Sequence, residues 1–271
     1  MSATPKAIVI FDIDGVIRDV GQSYRRALAD TVEQFTQQAF RPSQADIDQL
    51  KAEGRWNNDW EASQELVYRY FEAQGLSRGQ LQLDYDELVR FFQSKYRGEN
   101  WTGYICDEPL LASATYLNEL TAAGCPWGFF SGATRGSATF VLQKRLELEN
   151  PILVAMEDAP GKPDPTGLFE TIRQIEIRYN LPATLPILYA GDTVADMQTI
   201  QKAQTVQASA PVSAQERPWL GVGILPPHVH SSPEYAQDYR QTLLQAGAAI
   251  VLENVEHLTA EAIANLLAAK P

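Results

Sequence analysis

Four short stretches carry side chains whose types and spacing suit phosphoryl chemistry. Asp12 and Asp14 stand two apart at the end of an apolar run, with Gly15 next. Residues two apart in an extended chain leave it on the same side, so one carboxylate can attack while the other manages protons. A carboxylate is a competent nucleophile toward phosphorus and would give an aspartyl phosphate, provided a cation screens the repulsion between two anions. Asp192 supplies the other half of such a cation site. Hard oxygen ligands, with no Cys or His nearby, favour Mg²⁺ over Zn²⁺. Gly15 permits the sharp turn that brings backbone N–H groups toward phosphoryl oxygens. Ser131 and the Gly132 N–H can donate to the transferring group, and Lys162 adds a positive charge from a loop stiffened by Pro163 and Pro165.

These residues are useful only if the chain gathers them, and the order of elements says that it does. Ala7 to Phe11 has the unbroken hydrophobicity of a strand covered on both faces, and it is expected at the centre of the sheet. From about Ser23 to Tyr96 the spacing turns helical, with Ala27, Leu28, Val32 and Phe35 on one face and Leu66, Val67, Tyr70 and Phe71 on another. Helix and strand then alternate. A helix over Leu110–Ala123 precedes a strand over Trp127–Phe130, and a helix after Arg135 precedes a strand over Ile152–Ala155. Next come a helix over Leu168–Tyr179, a strand over Ile187–Ala190, a helix over Val194–Ala203 and a strand over Gly221–Leu225. A helix over Tyr235–Ala246, a strand over Ala249–Leu252 and a helix from Thr259 complete the series. Such alternation predicts an α/β fold, a parallel sheet flanked by helices through right-handed crossovers. The helical block from Arg18 to about Ile105 is then an insertion after the first strand, leaving 1–17 and 106–271 as the core. In open parallel sheets the site forms at the carboxyl ends of the strands. All four stretches fall just after a predicted strand.

Each stretch alone has a plainer use. An Asp-x-Asp at a strand end is often a turn, and Ser131 or Asp192 could cap the helix that follows it. Their order along four successive strand ends is what favours chemistry.

Composition narrows the partners. Across 271 residues, 22 basic against 34 acidic side chains give a formal net charge of −12. With no compensating Lys/Arg stripe, nucleic acid and anionic membrane surfaces are poor partners. The longest apolar runs are strand-sized, well short of the roughly 20 residues of a spanning helix. The N-terminus lacks the architecture of a secretory signal, and the expected setting is the cytoplasm. Cys106 and Cys125 have no His partners at metal spacing and are expected to be reduced.

Phe11-Asp-Ile-Asp-Gly-Val16, Phe130-Ser-Gly-Ala-Thr134, Gly161-Lys-Pro-Asp-Pro165 and Gly191-Asp-Thr-Val-Ala-Asp196 together resemble the four motifs of the haloacid dehalogenase superfamily. The helical insertion resembles the C1 cap of its subfamily I. The resemblance runs from Ala7 to about Ala203 and implies a Rossmann-like core, Mg²⁺ and a phosphoenzyme. Carried over by position, Asp12 would be nucleophile and metal ligand, and Asp14 general acid/base and a metal ligand through its carbonyl. Ser131 and Lys162 would hold the phosphoryl group, and Asp192 would bind Mg²⁺ with Asp196 in support. Dehalogenases and phosphonatases of the superfamily lack an acid at the position of Asp14. The resemblance therefore implies a phosphatase acting on a small phosphorylated metabolite. A phosphomutase of the β-phosphoglucomutase type and a non-catalytic binding or regulatory protein are the alternatives.

Two segments depart from the superfamily's usual layout. Gln201 to Leu220 is long for a helix-to-strand link, and Leu225-Pro-Pro-His-Val-His230 follows a predicted strand, either reaching the site or forming a rigid surface turn. In the insertion, Asn57, Asn58 and Asp59 gather hydrogen-bonding groups at a helix start, where Asn58 or Asp59 could cap; they are the expected substrate-contacting residues there.

Overall fold

The computed structural model describes residues 4–56, 58–209 and 217–269. The chain divides into two compact units, Met1–Arg18 with Leu110–Pro271, and Asp19–Pro109.

The first unit opens with β1 (Ile8–Phe11), fully buried as its apolar run requires. The second unit then intervenes with four helices, α1 (Tyr24–Phe35), α2 (Gln44–Lys51), α3 (Asp59–Ala73) and α4 (Tyr85–Tyr96). Its buried interior is mostly aliphatic, and aromatic pairs join the helices around it. The Tyr24 ring meets Phe92 and Tyr96 edge-on at 5.3 and 5.1 Å, and Phe40 stacks on Tyr70 at 5.7 Å. Such pairs hold helices together through large buried area at fixed ring geometry.

The first unit resumes with α5 (Ala114–Ala122), β2 (Trp127–Phe130), α6 (Arg135–Thr139), β3 (Leu153–Val154) and α7 (Thr166–Tyr179). It continues through β4 (Ile187–Gly191), α8 (Val194–Ala208), β5 (Trp219–Ile224), α9 (Pro233–Gln245), β6 (Ala248–Leu252) and α10 (Ala260–Ala268). All strand pairs are parallel, in the order β3-β2-β1-β4-β5-β6. The fold is thus the expected Rossmann-like α/β sheet. Alternation along each strand divides its side chains between two apolar layers. Ile8 and Ile10 join Phe130, Ile187 and Tyr189 on one face, while Val9 and Phe11 join Phe129, Leu188 and Ala190 on the other. The chain winds outward in both directions from the β1/β4 pair, so the crevice beyond their carboxyl ends is the natural place for a ligand.

Several predicted boundaries move by a few residues, and three of the shifts stand out. Helix α5 begins at Ala114 because the Ser113 hydroxyl accepts the Tyr116 N–H at 3.2 Å and caps it there. Helix α8 runs on to Ala208, so the long link expected from Gln201 is helical for its first two turns; residues 210–216 lie outside the described residues. Strand β3, at the sheet edge, keeps only two residues, the two paired with β2. No helix among the described residues is long and apolar enough to cross a membrane.

Candidate active site

Asp12 follows the last residue of β1, its N–H held by the Ala190 carbonyl at 2.9 Å. The loop then folds back on itself. Ile17 N–H donates to the Ile13 carbonyl at 2.8 Å, and Gly15 N–H donates to the Arg18 carbonyl at 2.9 Å. Gly15 makes this turn at φ +75°, and a Cβ there would lie 2.0 Å from Asp192 Oδ2. That space is what lets the carboxylates following β1 and β4 approach one another.

Lys162 reaches the same place from the loop after β3. Its ammonium is 2.9 Å from Asp12 Oδ1 and donates to Asp196 Oδ1 at 2.6 Å. It also lies 5.3 Å above the Phe130 ring and 5.4 Å from that of Tyr189. Asp12, Asp192 and Lys162 are each only 5–6% exposed. Burial pushes the Asp12 carboxyl up to about 7; Lys162 pulls it down, and Asp196 and Asp14 push it further up. Burial opposes the Lys162 charge as well, but Asp12 and Asp196 outweigh it and hold the ammonium above the usual lysine range.

Asp196, in the first turn of α8, is fully buried. Its Oδ1 accepts from Lys162 and from the Tyr189 hydroxyl at 2.7 Å. Its Oδ2 accepts the Thr193 N–H at 3.0 Å and the Thr193 hydroxyl at 2.6 Å, closing a capping box. Burial would raise this carboxyl, yet Lys162, Thr193 and Tyr189 together hold it below the usual range. Both oxygens are thus occupied by protein donors. Asp196 aims Lys162 and starts α8, while one of its oxygens still lies with those of Asp12 and Asp192 in the acidic cluster. Thr193, rather than Asp192, caps the helix.

Ser131 follows the last residue of β2, with its N–H on the Val154 carbonyl at 3.0 Å and its Oγ accepting the Ala133 N–H at 3.1 Å. The hydroxyl proton is left to donate elsewhere. Gly132 is next and half-buried. Asp14 stands opposite Arg18, with Nε donating to Oδ1 at 2.7 Å.

One oxygen from each of Asp12, Asp192 and Asp196 lies within 4.8 Å of the others, all buried. The set is hard, anionic and all-oxygen, with a buried Asp12 Oδ1 that receives no directed hydrogen bond. Those features fit Mg²⁺.

The insertion residues behave differently. Asn58 caps α3, its Oδ1 accepting the Trp60 N–H at 3.0 Å. Asp59 is buried beside Lys51 Nζ at 2.9 Å. Both side chains are occupied within their own unit, and Asn57 lies outside the described residues.

Two contributors escaped sequence reasoning. Tyr189 looks like any apolar strand residue, although a hydroxyl on a buried strand needs a partner, and alternation places it on the face shared by Ile10 and Phe130. Tyr239 on α9 donates to the Asp192 carbonyl at 2.9 Å, and His228 packs on the Tyr235 and Tyr239 rings at 6.2 and 6.1 Å. The Pro-Pro-His-Val-His loop thereby adjoins the backbone of the site through α9.

Comparison with known proteins finds relatives in sequence and in fold. The chain is 28% identical over 257 residues to an imidazoleglycerol-phosphate dehydratase of Phytophthora nicotianae, a match covering 92% of this chain and 51% of that protein. The chain therefore spans about half the length of this curated relative. In fold it is similar to a phosphonoacetaldehyde hydrolase-like protein from Oleispira antarctica, with TM-score 0.67, 17% identity, and 98% and 94% of the two chains covered. It is also similar to a HAD family hydrolase from Deinococcus radiodurans R1 solved with bound phosphate and sodium, with TM-score 0.62, 18% identity and 99% of each chain covered. The family model for haloacid dehalogenase-like hydrolases matches residues 6–204, which hold β1, the insertion and every charged residue gathered around Lys162, and on that span the chain belongs to this hydrolase family.

Proposed function

We propose that this chain is a Mg²⁺-dependent phosphatase that hydrolyses the phosphate monoester of a small metabolite through a phosphoenzyme on Asp12. The observation that carries the proposal is the Asp12–Lys162 contact at the end of β1, with a second carboxylate, Asp14, two residues on.

A carboxylate oxygen of Asp12 attacks phosphorus as the bond to the ester oxygen breaks, and Asp14 gives that oxygen its proton. Asp14, now a carboxylate, takes a proton from water as the water oxygen attacks phosphorus. The Asp12–phosphorus bond breaks, inorganic phosphate leaves, and both carboxyl groups return to their starting states. Lys162 and the Ser131 hydroxyl stabilise charge on the transferring group, and Asp196 and Tyr189 hold the lysine so that little reorganisation accompanies reaction. Asp12, Asp192 and the Asp14 carbonyl would hold Mg²⁺, which when bound would screen the repulsion between nucleophile and phosphate. The presence of Asp14 favours ester cleavage over phosphonate cleavage, because an alkoxide leaving group needs a proton where a stabilised carbanion does not.

The test is a panel of phosphate monoesters run on wild type and on Asp12→Asn. It should include an aryl ester, sugar phosphates and, given the name of the curated relative, an imidazole-bearing alkyl phosphate. The expected result is Mg²⁺-dependent phosphate release by wild type alone, with acid-stable trapping of label on the peptide containing Asp12. Label on another residue, or turnover undiminished in Asp12→Asn, refutes the proposal. A trapped phosphoenzyme that survives in water and passes its phosphoryl group only to a second substrate molecule identifies a phosphomutase instead.

A further inference from the structure

Arg18 is a side chain that neither the motifs nor the mechanism above uses. It is fully buried, in line with Val16 and Ile17, themselves both fully buried. Taking a guanidinium out of water costs several kcal/mol unless a partner and hydrogen bonds offset it. One such partner is Asp14. Arg18 Nε donates to Asp14 Oδ1 at 2.7 Å, and Nη2 makes an ionic contact with the same oxygen at 2.5 Å. The backbone enforces the pairing, because the Gly15 N–H on the Arg18 carbonyl and the Arg18 N–H on the Ile13 carbonyl, at 2.9 and 3.2 Å, close the loop that sets the two side chains face to face.

The form of the contact separates it from an ordinary structural pair. An arginine that only neutralises a carboxylate commonly binds both oxygens in a parallel fork. Here both nitrogens fall on Oδ1, and it is the carboxylate that retains solvent access, 19% against 0% for the arginine. The cation anchors Oδ1 from the interior, on a side chain that itself stays partly open to solvent.

We propose that Arg18 is a positioning residue for proton transfer, fixing Asp14 through Oδ1 so that Oδ2 exchanges the proton with the departing ester oxygen. This rests on the phosphatase reading and adds to it the group that aims the acid. It makes Arg18 matter in proportion to how badly the leaving group needs a proton.

The test compares kcat/KM, which reports phosphoryl transfer to Asp12, for p-nitrophenyl phosphate and for glycerol phosphate in wild type, Arg18→Gln, Arg18→Lys and Asp14→Asn. Positioned general acids contribute about 10²–10⁴-fold. Arg18→Gln should therefore lose about 10- to 100-fold on the alkyl ester, and much less on the aryl ester, whose leaving group departs unprotonated. Asp14→Asn should show the same split, the double variant should add little to it, and Arg18→Lys should recover part of the alkyl-ester loss. Equal losses on both esters overturn the inference, as does a split in Arg18→Gln that Asp14→Asn does not share. If the chain folds with neither Gln nor Lys at position 18, as judged by circular dichroism, Arg18 serves the fold and the inference falls. A wild type inert toward both esters fails the phosphatase reading itself, before any variant is made.

Discussion

The two units treat buried charge in opposite ways. In the insertion most buried ionic groups face a counter-charge in the same unit, Glu108 being held instead by the Ser23 hydroxyl. Arg25 meets Asp48, Lys51 meets Asp59 at 2.9 Å, and Arg69 and Arg78 clasp Glu65 at 2.8 and 2.7 Å. In the sheet unit the carboxylates of Asp12, Asp14, Asp192 and Asp196 gather around two cations, Lys162 and Arg18. Balanced pairs of the first kind hold helices in register. A surplus of buried negative charge stabilises nothing on its own, and a fold tolerates it where the site has to bind a cation or do chemistry. The difference makes the sheet unit the candidate seat of function on physical grounds alone.

The sharpest way to break this contrast is to remove one charge from each unit and compare stability with turnover. Asp12→Asn should lower kcat by about 10⁴-fold or more, as loss of a nucleophile does, while the melting temperature of the metal-free protein holds or rises, because a surplus charge has gone. Lys162→Met should lower both, costing about 3–5 kcal/mol of stability, since it leaves Asp12 and Asp196 buried without their cation. Asp48→Asn should do the reverse of Asp12→Asn, costing about 3 kcal/mol by stranding Arg25 and leaving kcat at saturating substrate unchanged. Denaturant melts and phosphate-release assays on the three proteins decide it. Stabilisation by Asp48→Asn, or a large loss of stability in Asp12→Asn, would show the two kinds of burial to be alike.

Gly15 tests the same contrast with a smaller expected effect. A Cβ there meets the Asp192 carboxylate at 2.0 Å, on backbone whose φ of +75° already disfavours any side chain. Gly15→Ala should cost about 1–3 kcal/mol in backbone strain. By displacing Asp192 it should also weaken Mg²⁺ binding, read by calorimetric titration or by loss of the Mg²⁺-induced rise in melting temperature. Gly75 in the insertion, with φ +86° and nothing within 4 Å of a Cβ, should on Gly75→Ala show the strain alone.

Much of this was legible beforehand, for reasons particular residues make plain. Strand positions announced themselves where the sheet is covered on both faces, as in Ile8–Phe11 and Ile187–Gly191, because burial admits only apolar side chains. The catalytic candidates were legible because each follows a strand end, so topology alone brings Asp12, Lys162 and Asp192 together. What could not be read was which oxygen serves whom. The resemblance puts Asp196 in support of Asp192, but only the Thr193 capping box and the hydrogen bonds from Lys162 and Tyr189 show that Asp196 also aims the lysine and starts α8. Arg18 was hidden in an apolar run, with an Asp four residues earlier as its one clue. The extent of α8 beyond Ala203 was missed because its last turns are polar and carry no periodic apolar stripe.

The smallest expected effect is a divergence of the two units with pH in the metal-free protein. In the insertion, hydrogen bonds from Arg69 and Trp56 hold the Glu53 carboxyl down to about 2, against an ordinary glutamate value of 4.5. A depressed carboxyl contributes stability that is present above its unfolded value and is lost as pH falls through its folded value, so the insertion should hold from neutrality to about 4.5 and weaken below it. Asp12 in the sheet unit is raised to about 7 from 3.8, chiefly by burial. Its sign is opposite, because protonation relieves the buried charge, and the sheet unit should gain stability as pH falls from above 7 toward 4. Hydrogen exchange resolved by peptide, with chelator present and rates corrected for pH, can follow α3 and β1 in one sample. Protection of β1 should rise relative to α3 across that interval and Asp12→Asn should abolish the rise; parallel curves for the two segments in wild type would mean that the surplus charge around Lys162 exerts no strain on the sheet.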